Sequence, residues 1–249
     1  MLALIDADIV AYRVGFSCQR KGLDGELEVD PVEIAYARVD ELMERIPLDI
    51  GATSYVAYLT GPNNFRLQYN PQYKANRTAA KPVHLPAIRE YLVVRWNAVV
   101  TDGIEADDAL GIHQMRDENE DTIICSIDKD LKQIPGKHYN FVKGEYEEVS
   151  YLQGLKFFYE QMLIGDSVDN IFGVERIGKA KAPRIIQPCE TELEMFEAVQ
   201  SRYDSDERLL MNGVCLWIQR KPNELWTFPD GAETYLPLGE SEDSLSLQE

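Results

Sequence analysis

Apolar residues fall into two patterns along this chain: short unbroken runs in its first half and a three-to-four-residue periodicity that takes over later. Residues 2–6 (LALID), 53–60 (TSYVAYLT) and 121–128 (DTIICSID) are apolar or β-branched runs of strand length, and 97–102 (NAVVTD) reads as a fourth strand. Between them, 31–46, 85–96 and 105–119 read as helices, the first with Pro31 near its opening turn. Strand and helix in alternation predict an α/β core over residues 1–150, with a mainly parallel central sheet flanked by helices on both faces. From residue 151 the runs 151–165, 179–187, 190–203 and 205–220 all read as helices, which predicts a helical C-terminal lobe over 151–238. The polar, acidic end, 239–249, is expected to be disordered.

At 249 residues and 45% hydrophobic, the chain is long enough for one full core plus a smaller lobe. No run of apolar residues approaches membrane-spanning length and the start lacks the marks of a secretory signal, so a cytoplasmic protein without membrane contact is expected. Cys18, Cys125, Cys189 and Cys215 stand far apart, and His84, His113 and His138 show no ligand spacing. Zinc, disulfide and histidine chemistry are thereby set aside. The formal charge of −18 argues against a nucleic-acid partner. The charge is uneven, however: residues 102–130 hold ten carboxylates against Arg116 and Lys129, while 74–81 and 176–184 contain bases and no acids.

The acids fall in four segments. Asp6 and Asp8 end the first strand, and Asp128 and Asp130 follow another in the same relation, at the edge of a parallel sheet where ligands bind. Glu105, Asp107 and Asp108 open a helix, where they could equally be partners of its dipole. Asp166 and Asp169 end a helix, a place where negative charge is disfavoured and asks for a cation. Nine acids converging on one cleft need counter-cations to stay ionised, and a carboxylate donor set suits magnesium, with manganese able to substitute. Two such ions about 4 Å apart can activate a water and stabilise a leaving oxygen of a phosphodiester.

The stretches LIDAD, NPQYKANR, GIEADDALG, SIDKDLKQIPG and MLIGDSVDNIFGVERIGKAKA, in this order from Asp6 to about Ile186, resemble the 5′-nuclease family of flap endonucleases, polymerase I nuclease domains and phage 5′→3′ exonucleases. The resemblance implies a PIN-like fold and metal-dependent hydrolysis of DNA at 5′ ends or branches by two magnesium ions, in replication or degradation. It implies that Asp6, Glu105, Asp107 and Asp108 hold the first metal, that Asp128 and Asp130 lie near or between the two, and that Asp166 and Asp169 complete the shell of the second metal, in part through water. Asp8 matches only some phage members. Lys74 and Arg77 match bases that contact the scissile phosphate, Tyr73 an aromatic on which a base could stack, and Lys81 extends that basic stretch toward DNA. Residues 165–187 look like the family's helix-hairpin-helix element, with Gly173 and Gly178 permitting the turn, Lys179 and Lys181 gripping duplex phosphates, and backbone carbonyls able to hold potassium. NPQYKANR is similar to the phage branch, which implies a phage-encoded enzyme working in the host cytoplasm.

The pattern also departs from the family. LTGPNNFR carries Gly61 where many relatives have a metal-site acid, and Pro183 interrupts the helix after the hairpin unless it lies in its first turn. Only a short stretch separates Arg77 from the helix start near His84, too short for a threading arch, which favours exonuclease action on duplex 5′ ends. Two rivals stand beside this reading. DADIV fits the nucleophile motif of haloacid-dehalogenase-like phosphatases with Asp6 attacking and Asp8 as acid, and Gly61 is compatible with a protein that binds branched DNA without cutting it.

Overall fold

A computed structural model describes residues 1–116 and 120–233. The expected tail, 239–249, and the last residues assigned to the lobe lie outside the described residues. The elements in chain order are β1 Leu2–Asp6, α1 Ala7–Ser17, β2 Gln19–Lys21, β3 Leu27–Val29, α2 Val32–Ile50, β4 Ser54–Leu59, α3 Arg66–Tyr69, α4 Leu85–Trp96, β5 Val99–Val100 and α5 Ala106–Gln114. They continue with β6 Thr122–Cys125, β7 Gly136–Asn140, β8 Glu145–Val149, α6 Tyr151–Ile164, β9 Gly165–Asp166, β10 Ile171–Phe172, α7 Ala182–Ile186, α8 Glu192–Gln200 and α9 Asp206–Leu216.

Six strands form one sheet in the order β5-β4-β1-β6-β7-β8, parallel except where β8 returns antiparallel to β7. The expected parallel α/β core is therefore present, with β1 at its centre between β4 and β6. Ala3, Ile5 and Ala57 face α1, α2 and α4 in one apolar cluster. Leu4 and Ile124 face the other way, toward Leu110 of α5 and Ile218. That two-sided burial explains why the strands read as unbroken apolar runs.

Some elements differ from expectation. The sheet gains the β7–β8 hairpin, whose polar, half-exposed residues hide a strand signal, and β2–β3 form a separate exposed ribbon. The last predicted helix stops at Leu216, and residues 217–220 run extended back to the core. Ile218 packs against Leu4 and Ile124 there, and Gln133 Oε1 accepts the Ile218 N–H at 3.2 Å. Residue 150 does mark the start of α6, but the chain crosses that boundary again: Tyr73 packs into the lobe's apolar cluster and residues 217–220 into the core. In the lobe, Pro183 lies within the first turn of α7, where no helical hydrogen bond is lost.

Among the described residues, no helix is long and apolar enough to cross a membrane.

Candidate active site

The carboxyl ends of β1, β4 and β6 meet the N-terminus of α5 and the end of α6, and the acids gather on this edge. Asp6 is 2% exposed and caps α1: its Oδ1 accepts the Ile9 N–H at 3.1 Å and its Oδ2 the Ser126 hydroxyl at 2.7 Å. Asp128 accepts the Asp130 N–H at 2.9 Å, and Ser126 Oγ accepts the Asp128 N–H at 3.0 Å, so one turn after β6 fixes three side chains. Asp107 opens α5 and lines the cleft, with no hydrogen bond or ion pair among the described residues.

This group carries its charge against resistance. Burial, then the neighbouring Asp8 carboxylate, pushes Asp6 up to about 7. Asp107 is held well above the ordinary carboxylate range by burial and by Asp6 and Asp128. Asp130 is pushed up to about 6 by burial and Asp128, although Lys129 Nζ and Gln161 Nε2 both donate to its Oδ1 at 2.7 Å.

A second group, on the lobe side, is neutralised. Glu105 takes a hydrogen bond from Tyr73 Oη at 2.8 Å and an ion pair from Lys74. Burial opposes its ionisation, but Lys74 and Arg66 outweigh burial and hold it below its ordinary value. Asp169 pairs with Arg77 and accepts from Tyr73 Oη at 3.0 Å. Lys74 sits at φ 59, a left-handed conformation uncommon for a side-chain-bearing residue, with its N–H bonded to the Asp169 carbonyl at 2.9 Å. Asp166 Oδ1 turns back to the N–H groups of Val168 and Asp169 at 2.7 and 3.3 Å.

The structure corrects several expected roles. Asp108 does not face the cleft: it is fully buried, and its oxygens take a bidentate pair from Arg66 at 2.6 and 2.8 Å and the N–H groups of Glu105 and Gln219, each at 3.0 Å. With those acceptors filled it is a structural anion. Tyr73 is 4% exposed and its ring lies in the lobe's apolar cluster, so it offers no face to a base. Gly173 serves close packing, since a Cβ there would stand 2.3 Å from the Ile164 carbonyl carbon, and Gly178 meets no steric demand. The left-handed turns of the hairpin region fall instead at Gly165, Asn170 and Arg176. Lys179 lines the cleft, and Lys181 is exposed at the N-cap of α7. Gly61 admits no side chain: its Cβ would lie 1.9 Å from the Thr101 carbonyl oxygen.

The sequence did not single out Arg66 or Arg89. Arg66, 2% exposed, also donates to the carbonyls of Cys215 and Trp217 at 2.9 and 2.7 Å, tying α5 to the end of α9. Arg89 of α4 pairs with Asp8, whose Oδ2 accepts the Thr60 N–H at 2.9 Å. Neither arginine shares a local motif with its partner, so no spacing signals the pair.

Two clefts meet at this edge. One of about 570 Å³ extends toward the lobe past Asp130, Asp166 and Lys179, and one of about 640 Å³ extends toward α1 and α4 past Asp6, Lys81 and Arg89. Lys74, Arg77, Asp107 and Asp128 line both. Among the described residues no three His, Cys, Asp or Glu side chains form a closed group able to hold an ion by themselves.

Residues 1–161 match the family model of the 5′-3′ exonuclease N-terminal resolvase-like domain. The chain belongs to the 5′-3′ exonuclease family. It is 27% identical over 243 residues to the thermostable DNA polymerase I of Thermus thermophilus, covering 90% of this chain and 28% of that protein. It is 27% identical over 179 residues to a 5′-3′ exonuclease of Buchnera aphidicola, covering 64% of this chain and 60% of that protein. The chain thus spans about a quarter of the length of the polymerases it matches. In fold, this family member is similar to the T5 5′-exonuclease crystallised with zinc, with a TM-score of 0.63, 19% identity and coverage of 86% of this chain and 88% of that one. A bacteriophage T5 flap endonuclease complexed with DNA and metal ions superposes equally well, with a TM-score of 0.63 and 19% identity over 85% of this chain and 86% of that one.

Proposed function

We propose that this chain is a magnesium-dependent 5′→3′ exonuclease that hydrolyses phosphodiester bonds at the 5′ ends of duplex DNA. The observation that carries the reading is the juxtaposition of Lys74 and Arg77 with Asp107 and Asp128 where the two clefts meet, with Asp6 beside them in the cleft toward α1 and α4. Mutually repelling carboxylates beside two cations are the arrangement expected where divalent ions and a phosphate share one site. The donor set is all oxygen, which fits magnesium or manganese. Because no three side chains among the described residues close on an ion, water and phosphate oxygens would complete its shell, as magnesium tolerates. Asp6, Asp107 and Asp128 would hold one ion, and Asp130 and Asp166 would reach a second largely through water. When bound, the ions lower the pKa of a water and neutralise the leaving oxygen.

The chain's own residues bind and orient. Lys74 and Arg77 exchange their present partners, Glu105 and Asp169, for the scissile phosphate and stabilise its developing charge. Tyr73 fixes Glu105 and Asp169 and so positions both bases. Lys179 and Lys181 contact duplex phosphates, and backbone carbonyls of the hairpin region would hold potassium.

The test is incubation with 5′- and 3′-labelled duplex and flap DNA, with and without magnesium, beside Asp128→Ala. Short 5′ products from the wild type, dependent on magnesium, are the expected result. DNA bound but uncut at every magnesium concentration would replace this reading with the binding-protein reading, which the sterically closed Gly61 favours. A phosphatase mechanism through Asp6 is disfavoured by its burial and its role as a helix cap.

A further inference from the structure

Beside the cleft toward α1 and α4, the chain leading into α4 is tied down. Pro82 is buried against α1 so closely that a Cβ on Gly15 would stand 2.6 Å from the Pro82 Cβ. The next residues are fastened as well: the Val83 N–H donates to Gln19 Oε1 at 3.0 Å, and His84 Nε2 lies 2.7 Å from the Asp30 carbonyl oxygen. The end of the connection from Arg77 to α4, residues 82–84, is therefore held on α1 and the β2–β3 ribbon, while residues 78–81 are exposed. Tyr12, Leu85, Lys81 and Arg89 line this end of the cleft.

We propose that this end of the cleft is a subsite for the 5′-terminal nucleotide and that it selects DNA ends carrying a 5′-phosphate. The proposal rests on the nuclease reading above and adds to it the chemistry of the end that is recognised. Lys81 is exposed and makes no hydrogen bond or ion pair among the described residues, so its ammonium is free for an anion. Arg89 gives one N–H to Asp8 and one to the Thr60 carbonyl, leaving further donors of its guanidinium unspent. The same contacts, with the Thr60 N–H, take up the charge of Asp8, the carboxylate nearest this end, so that it opposes a phosphate less. Tyr12 lines this end of the cleft and offers an aromatic ring to a base. The cleft's volume of about 640 Å³, which includes the reaction centre, is sufficient for a nucleotide-sized ligand.

The experiment uses the full chain and one blunt duplex carrying either a 5′-phosphate or a 5′-hydroxyl, and it measures kcat and KM with magnesium and Kd with calcium. The phosphate is expected to lower KM and Kd about tenfold with kcat little changed. Lys81→Ala should bring both ratios close to one, and Lys81→Arg should restore them. Equal KM and Kd for the two ends in the wild type would overturn the subsite, as would a ratio that survives Lys81→Ala together with Arg89→Ala. If neither duplex is cut, the nuclease reading fails on its own, and the Kd ratio still decides the subsite. A flap whose 5′ end carries a bulky block is expected to resist cleavage, and efficient internal cutting of it would show that the cleft is open.

Discussion

Glu105 and Asp107 are two residues apart at the start of α5, yet they live under opposite electrostatic conditions. Glu105 belongs with Asp108 and Asp169 to a region where Arg66, Lys74, Arg77 and the Tyr73 hydroxyl meet nearly every carboxylate oxygen. Asp107 lies with Asp6 and Asp128, none of the three in an ion pair among the described residues, and burial together with neighbouring carboxylates raises the cost of ionising Asp6 and Asp107. The number of acids near a cleft is therefore a poor count of the ligands available. Acids already paired in a buried network build the site, and acids left unpaired are the ones that ask for a cation.

The comparison breaks most visibly at Arg66. Arg66→Ala strands the buried Asp108 charge, and we expect a loss of about 3–5 kcal/mol in unfolding free energy, read by denaturant titration. A loss below about 1 kcal/mol would mean that the buried network does not hold the two halves together. Asp107→Asn should do the reverse: cleavage falls about 10²–10³-fold, while the melting temperature in chelator rises because a repelling charge is gone. A drop in both would move Asp107 into the structural group.

Smaller effects sharpen the same contrast. Tyr73→Phe removes hydrogen bonds to Glu105 and Asp169 but keeps the ring, so about 1–3 kcal/mol of stability should be lost with little change in Kd for DNA. A large rise in Kd with unchanged stability would mean instead that the hydroxyl serves DNA binding through the bases it helps to place. Finally, Asp6 and Asp130 are pushed up to about 7 and about 6 from 3.8, so the folded state holds their protons more tightly than the unfolded chain does. Their contribution to stability is full below pH of about 4 and is lost as pH rises toward about 7. In chelator the melting temperature should fall from pH 5 to pH 8, and magnesium should restore more of it at pH 8. A magnesium effect that shrinks with pH would argue that these carboxylates do not hold the ion.

Much of this was legible along the chain, because strand runs and helix periodicity are local. The helix over 85–96 and the strand ending at Asp6 lie where the pattern places them. The β7–β8 hairpin was not legible, since its partly exposed residues lack the apolar run that marks the central strands. The acid segments were legible as candidates, but which acids are spent was not: Arg66 and Asp108 are 42 residues apart, and Arg89 and Asp8 are 81 apart.

What the sequence determined by itself was the class of the fold, the family, and the set of acids and bases from which a site could be made, since each is written in residue type and short spacing. The tertiary structure alone decided which carboxylates keep an unshared charge, that Tyr73 is buried, that Gly61 leaves no room for a further acid, and that the stretch after Lys81 is fastened down. Those depend on distances between residues far apart in the chain, and the energy of a charge in a low-dielectric interior is set by such neighbours rather than by its place in the sequence.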